Sequence, residues 1–339
     1  MIREAIAAVV AGKDLTEAEA AAVMEELMSE TATPSQAAAL LVALRMKGET
    51  VDEITGMVRV MREKALRVDV AGGEVLDVVS TGGGSFDPFN ISTAAALVCA
   101  GAGVRVAKHG NRGFTSASGA ADVIEALGAK LELTPEQSRA CIEQTGFAFL
   151  FAPSLHPAMR FVGPTRREIG IRTIFNSLGP LTNPAGARYQ LLGVGDAGMA
   201  VKVAQVLSRL GTGKALVVHS DDGLDEVSLG APTTVHELVG NERKTYTVTP
   251  EEMGFERVPL FAVRTGTKEE NADRLRAVLA GKAGPDRDYT LVNAGAALVA
   301  ANKASSIKDG VALAREAVDS GAAAKVLAAY VAASNAFGG

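Results

Sequence analysis

The chain has no tryptophan, two cysteines and aromatic residues at 4% of its 339 positions, and each shortage argues against a class of function. Cys99 and Cys141 lie in apolar helical patterns and read as buried thiols, so neither a disulfide framework nor a thiolate metal site is expected. Few aromatics and a formal net charge of -5 leave no global footprint for nucleic acid. No apolar run reaches the ~18 residues of a membrane span, and no basic, apolar leader opens the sequence, so a cytoplasmic protein without a membrane partner is expected. Nothing resembles a nucleophile beside its base, a zinc site or a paired-carboxylate acid/base system.

What is present is a 47% hydrophobic fraction, enough for sizeable cores in two domains. The first ~67 residues have helical periodicity throughout, with a capping box from Thr16 to Glu19 and Gly48 closing a helix that starts near Ser35. Ala38, Leu41, Leu44 and Met46 form an apolar stripe, and a face left over after packing suits dimerisation. From Leu76 the pattern alternates. Strands are predicted at 76–79, 104–107, 148–151, 190–194 and 214–219, with helices at 93–98, 120–127 and 198–210 between them. Segments 234–238 and 244–248 read as an antiparallel hairpin at a sheet edge, and helices return from Lys268. Prolines 153, 157, 164, 180 and 184 break residues 154–186 into short pieces, which suit a crossover back to the helical part. The predicted fold class is α/β. A small N-terminal all-helical domain, residues 1–67 joined by part of 154–186, precedes a larger α/β domain, 68–339, whose mostly parallel sheet is flanked by helices.

Two glycine-bearing loops carry the chemistry. Residues 80–93 follow the first strand and 108–113 follow the second, so adjacent parallel strands bring both to one sheet edge. Glycine lets backbone approach a bulky anion, and the first N–H groups of the next helix lack internal partners, an arrangement suited to phosphate. Lys108 supplies a countercharge. The order of glycines and the lysine position fit neither the dinucleotide fingerprint nor the P-loop. Gly82-Gly83-Gly84 alone reads equally as a flexible turn; the pairing of loops favours phosphate.

Asn90, Ser92 and Thr93 open the helix after the first loop as caps or as binding groups, and Ser92 is placed to cap or to ligate a metal. Asp225 and Glu226 lie beyond a strand end, where they form either a solvated acidic turn or a Mg²⁺ site beside phosphates. Arg166, in Arg166-Arg167-Glu168, matches the two-pronged geometry of a carboxylate or phosphate, the alternative being a surface ion pair with Glu168. His109, Asn111 and His156 are polar residues in loop contexts, where histidine is usually structural. The residues by themselves therefore point to a magnesium-bound phosphate substrate and a second, anionic small molecule.

Several ordered segments carry a resemblance: Phe89-Asn90-Ile91-Ser92-Thr93, Val106-Ala107-Lys108-His109-Gly110-Asn111-Arg112, His156-Pro157-Ala158-Met159, Arg172-Thr173-Ile174-Phe175-Asn176, Leu178-Gly179-Pro180-Leu181-Thr182-Asn183-Pro184 and Asp222-Gly223-Leu224-Asp225-Glu226. Over essentially the whole chain the sequence resembles the anthranilate phosphoribosyltransferase family of tryptophan biosynthesis. The resemblance implies transfer of phosphoribose from 5-phosphoribosyl 1-pyrophosphate to the amine of anthranilate, a hinge between the domains and a homodimer through the helical ones. It implies binding of the pyrophosphate substrate by Ser80, Gly83, Gly84, Pro88, Asn90, Ile91, Ser92 and Thr93, and by Lys108, His109, Gly110, Asn111, Arg112, Gly113, Ser116 and Ala120. It further implies Mg²⁺ on Ser92, Asp225 and Glu226, with Lys108, Asn111 and Arg166 as catalytic residues, the last facing the anthranilate carboxylate.

The first loop departs from the family pattern: Ser80 replaces Gly, Gly84 replaces Asp, and Pro88 replaces Thr, with Asp87 three residues from the missing carboxylate. In the second, Gly113, Ala117 and Ala120 stand where Ser or Ala, Lys and Ser are usual. Two other readings remain beside the transferase. A nucleoside phosphorylase shares the fold but is disfavoured by His109-Gly110-Asn111-Arg112 and Arg166; a non-catalytic relative that binds nucleic acid is prompted by the altered loop and opposed by the acidic balance.

Overall fold

Threonines set the start of three N-terminal helices in the computed structural model, which describes residues 1–113 and 118–337. Thr16, Thr33 and Thr50 each accept the N–H three residues on, while Glu19, Gln36 and Glu53 accept the threonines' own N–H groups. Two otherwise unpaired donors are thereby satisfied at each helix start. The helices are α1 (Ile2–Val10), α2 (Glu17–Leu27), α3 (Pro34–Lys47) and α4 (Val51–Glu63). Glu53 is fully buried, and it is matched by Lys47 at 3.1 Å and by the Leu15 N–H. The expected stripe on α3 divides: Leu41 and Leu44 enter the core, while Met46 is 83% exposed. Ala38, Val42 and Met46, four residues apart, form a second apolar row that lines an outer groove with Val9 and Val10.

The remaining elements alternate as the periodicity predicts. They are β1 (Leu76–Ser80), α5 (Ile91–Gly101), β2 (Val106–Gly110), α6 (Ala120–Ala126), α7 (Pro135–Thr145), β3 (Phe147–Phe151), α8 (Ala152–Leu155), α9 (Gly163–Ile169), α10 (Ile174–Leu178), β4 (Tyr189–Gly193), α11 (Ala197–Arg209) and β5 (Lys214–Ser220). A hairpin, β6 (Thr233–Val239) and β7 (Glu242–Val248), precedes α12 (Lys268–Leu279), α13 (Pro285–Ala300), α14 (Ile307–Asp319) and α15 (Ala322–Ala336). The strand order is β3-β2-β1-β4-β5-β6-β7, parallel through β5 and antiparallel beyond it. Connections run outward in opposite directions from β1 and β4. The carboxyl ends of these neighbours therefore open a crevice, where ligands collect in such sheets.

Alternation along β4 and β5 divides the interior in two. Leu191, Leu216 and Val218 face the core built with α5 and α13, whereas Leu192, Ala215 and Val217 face the core shared by α11 and the N-terminal helices. The proline-broken stretch returns to that second core. There α9 packs on α3 and α10 on α3 and α4, burying Val162, Ile174, Phe175 and Leu178.

A polar knot ties the strands to the returning chain. Asp77 accepts the His109 N–H at 3.1 Å and an Asn183 side-chain N–H at 2.8 Å, and Asn183 also donates to the Ala107 carbonyl. Burial pushes Asp77 up to about 6, opposed by Asn183 and Lys108. His109 belongs to β2, not to a loop, and its ring lies 5.1 Å from that of His156. Burial lowers His109 to about 3 and His156 to about 4. An unfolded chain protonates both near 6.5 while the native one does not, so these histidines withdraw stability as pH falls below 6.5; protonation of Asp77 below 6 acts the other way. His156→Leu should remove about 1.4 kcal/mol of acid destabilisation per pH unit between roughly 6.5 and 5, read as the difference from wild type in urea unfolding. Parallel pH profiles for the two proteins would remove the histidine from this account.

Candidate active site

Lys108 is almost wholly buried in the middle of β2, and its ammonium donates to the Val78 carbonyl at 2.5 Å and to Ser92 Oγ at 3.2 Å. Burial lowers its pKa to about 8, against the attraction of Asp77 and Glu226. The loop after β5 folds inward, so Asp225 and Glu226 are 6% and 8% exposed, not a solvated turn. Glu226 Oε1 accepts the Ser92 N–H at 3.0 Å, while Oε2 is buried with no hydrogen-bond partner among the described residues. Burial and the neighbouring Asp225 hold the Glu226 carboxyl well above its ordinary range; Asp225 is also raised by burial, opposed by the Ser80 hydroxyl and by Arg172. Four residues predicted to act together, Lys108, Ser92, Asp225 and Glu226, thus converge from β2, α5 and the turn after β5.

The expected phosphate cradle is corrected in detail. The first N–H groups of α5 are all taken: Ile91 donates to Phe89 O, Ser92 to Glu226, and Thr93 to Asn90 O. Ile91 itself is a core side chain, and the Thr93 hydroxyl is buried without a partner among the described residues. Open donors lie one turn earlier. Gly82 and Gly83 adopt φ of 64° and 76°, and the N–H groups of Gly83 and Gly84 meet no carbonyl among the described residues. Successive amides in such a turn form a concave anion seat.

Around this seat the space is tightly filled. A Cβ at Gly84 would stand 2.6 Å from the Gly223 carbonyl and 3.1 Å from Asp225 Oδ1. A Cβ at Gly193 would overlap the Asp225 carbonyl, so both glycines let the acidic turn press against the loop. Ser85 clips the loop to that turn, donating from its N–H to Gly223 O and from its hydroxyl to Asp222 O. Pro88 bridges to Arg264, and the Thr265 N–H donates to Asp87 O. The Asp87 carboxylate is exposed and makes no hydrogen bond or ion pair among the described residues.

Residues of the second loop are largely engaged with protein. Lys108, His109 and Gly110 complete β2, which corrects their placement in a loop, and His109 faces His156. The Arg112 guanidinium pairs with Asp122 and Glu125 at 3.0 and 2.9 Å, leaving it no open anion seat, and Gly113 N–H donates to Asp122. Asn111 is exposed, its Oδ1 accepting the Arg112 N–H. Asn90 joins the loops through Ser118 and receives a bond from Asn271 of α12. Ala120 begins α6. Ser116 lies outside the described residues. Arg166 forms no ion pair with Glu168; its guanidinium lies 4.9 Å from the Phe175 ring, and burial lowers it to about 10.

Sequence reasoning assigned no role to Arg172 or Asn271, although Arg172-Thr173-Ile174-Phe175-Asn176 carried the resemblance. Arg172 reaches the first loop from the chain between α9 and α10. A groove of about 500 Å³ lined by Phe261, Arg264, Arg274 and Lys282 includes none of Lys108, Ser92, Asp225 and Glu226, so the polar cluster defines the candidate site.

Comparison with known proteins agrees with this architecture. Residues 3–65 match the helical bundle domain of a glycosyl transferase family, and residues 72–324 match its a/b domain. An anthranilate phosphoribosyltransferase from Chloroflexus aggregans is 55% identical over 335 residues, 98% of each chain. The crystal structure of an anthranilate phosphoribosyltransferase from Thermus thermophilus superposes with a TM-score of 0.92 at 48% identity, covering 97% of this chain and 99% of that one. The Saccharomyces cerevisiae enzyme, solved in complex with PRPP and Mg, gives a TM-score of 0.90 at 28% identity, covering 99% and 98%.

Proposed function

Because this chain belongs to the glycosyl transferase family, and within it to the anthranilate phosphoribosyltransferases, we propose how its own residues move the phosphoribosyl group of 5-phosphoribosyl 1-pyrophosphate to the amine of anthranilate. The observation that carries the reading is the buried Lys108–Ser92–Glu226 cluster beside the open amides of Gly83 and Gly84. Those amides receive phosphate oxygens, and the Lys108 charge sets a positive potential behind them. Mg²⁺ fits at Asp225, Glu226 and Ser92. Glu226 Oε2 is a buried oxygen in want of a partner, and two carboxylates with a hydroxyl suit a hard ion that completes its shell with water and phosphate. When bound, the ion offsets charge on the pyrophosphate.

Anthranilate is placed against Arg166, a desolvated guanidinium without a carboxylate partner among the described residues. Asn111, exposed after β2, is proposed as the second contact to anthranilate. The aromatic amine is neutral at about pH 7, so its lone pair attacks C1 directly. The C1–oxygen bond breaks, pyrophosphate leaves with that electron pair, and the proton of the newly bonded amine passes to solvent water. Charge stabilisation and orientation are what the site supplies. Arg166→Ala should raise KM for anthranilate about thirtyfold or more, with KM for the pyrophosphate substrate within about threefold. Equal changes in both constants would remove Arg166 from the acceptor pocket.

Residues 1–67 with part of 154–186 form the lobe that carries Arg166, and the remainder holds the phosphate cradle. A homodimer is proposed through the outer groove of about 560 Å³ lined by Val9, Val10, Ala38, Val42 and Met46. Its exposed Val10 and Met46 are the apolar groups such an interface covers. No helix among the described residues is long and apolar enough to cross a membrane, and two buried free thiols suit the cytoplasm. The test is direct: purified protein with Mg²⁺ and both substrates should release pyrophosphate and consume anthranilate. No pyrophosphate at any substrate level would sink the assignment.

A further inference from the structure

We propose that Arg172 is a positioning residue for the pyrophosphate site, holding the Thr81–Gly82 peptide in the one orientation that leaves the next two amides open. This inference rests on the reading of the glycine turn given above. The chain between α9 and α10 carries Arg172 across to the loop after β1, where Nη2 donates to the Thr81 carbonyl at 3.0 Å. On the opposite side of the same peptide, the Gly82 N–H faces the Asp225 carboxylate and favours its charged form. The oxygen of this peptide is therefore held by a guanidinium, while its N–H, which makes no hydrogen bond among the described residues, is turned toward the carboxylate side.

A grip of this kind matters because the turn is glycine-rich. Peptides flanked by glycine rotate between alternative orientations at little steric cost, and a rotated Thr81–Gly82 unit would turn its carbonyl toward the site. The guanidinium also covers Gly83, where an added Cβ would collide with it. Arg172 makes no ion pair within 4 Å among the described residues, so its charge is not consumed elsewhere. Thr173, Ile174 and Phe175, the residues after it, are buried, the latter two in the core shared with the N-terminal helices. The cradle on the sheet is thus braced from the helical side, across the cleft between the two lobes.

Arg172→Ala, Arg172→Met and Arg172→Lys separate this role from packing and from charge alone. Methionine retains bulk without a donor; lysine retains charge and a donor. Alanine and methionine should each raise KM for 5-phosphoribosyl 1-pyrophosphate about ten- to hundredfold, with kcat and KM for anthranilate within about threefold, and lysine should recover most of the loss. Thermal unfolding of the four proteins should coincide within about 2 °C, since the arginine is only half-buried. An unchanged KM in the alanine variant of an active wild type overturns the inference and leaves the assigned reaction intact. Full rescue by methionine, or parallel loss of both KM values with lowered unfolding temperature, also overturns it in favour of packing. Absence of turnover in the wild type is the separate outcome that defeats the functional reading itself.

Discussion

Lys108→Met should lower kcat/KM for the pyrophosphate substrate by about a thousandfold, the largest loss expected from a single side chain in this site. Two effects combine. The variant removes the buried cation next to Ser92 and leaves Asp77 and Glu226, both buried, without the charge that opposes their desolvation. Each carboxyl then holds its proton to higher pH, and a protonated Glu226 is a poor ligand for a cation. Loss of the buried donor leaves the Val78 carbonyl unpaired, which typically costs about 1 to 3 kcal/mol, so the unfolding midpoint should fall as well. Lys108→Arg should not preserve activity, because the guanidinium is larger than the space that brings Nζ to 2.5 Å from Val78 O. The measurement is pyrophosphate release under saturating anthranilate. A loss below about tenfold, with the variant folded, would show that the charge of Lys108 is not used.

Gly84→Asp, which reinstates the residue usual in the family, should reduce kcat/KM about ten- to hundredfold instead of improving it. The new Cβ would press on the Gly223 carbonyl at 2.6 Å, and its carboxylate would be added beside Asp225 and Glu226, whose pKa values are already raised. Overpacking costs about 1 to 3 kcal/mol, and a third negative charge repels the substrate's phosphates. The loop has no slack to yield. Ser85 is clipped to Asp222 and Gly223, Phe86 lies under Arg264 at 5.3 Å, and Pro88 bridges to the same arginine. Ser85→Gly in the same chain, by releasing the clip, should recover part of the loss. A gain of activity from Gly84→Asp alone would mean that the loop relaxes and that its native form is impaired.

These two residues show different degrees of legibility. Lys108 was readable because its position, just after Val106-Ala107 and just before Gly110-Asn111, is local. The penalty at Gly84 was not, since the atoms it meets belong to Gly223 and Asp225, far along the chain. Family resemblance by itself suggests that aspartate belongs at this position; the surrounding backbone argues the reverse. The same distinction applies to α5. A helix after a glycine loop implied free N–H groups, and a carboxylate 134 residues away occupies one of them.

From the sequence alone came what short-range patterns dictate: the helical N-terminal segment with its capping threonine, the strand and helix alternation, the edge hairpin, both glycine loops and the carboxylate pair after β5. Hydrophobic periodicity and turn chemistry act over a few residues, so one sequence displays them. Tertiary structure decided which polar groups were buried, which amides stayed open, that Arg112 is spent on Asp122 and Glu125, and that Arg172 crosses to Thr81. Burial and hydrogen-bond partnership depend on segments brought together only by packing, and the chemistry of a charge depends on both.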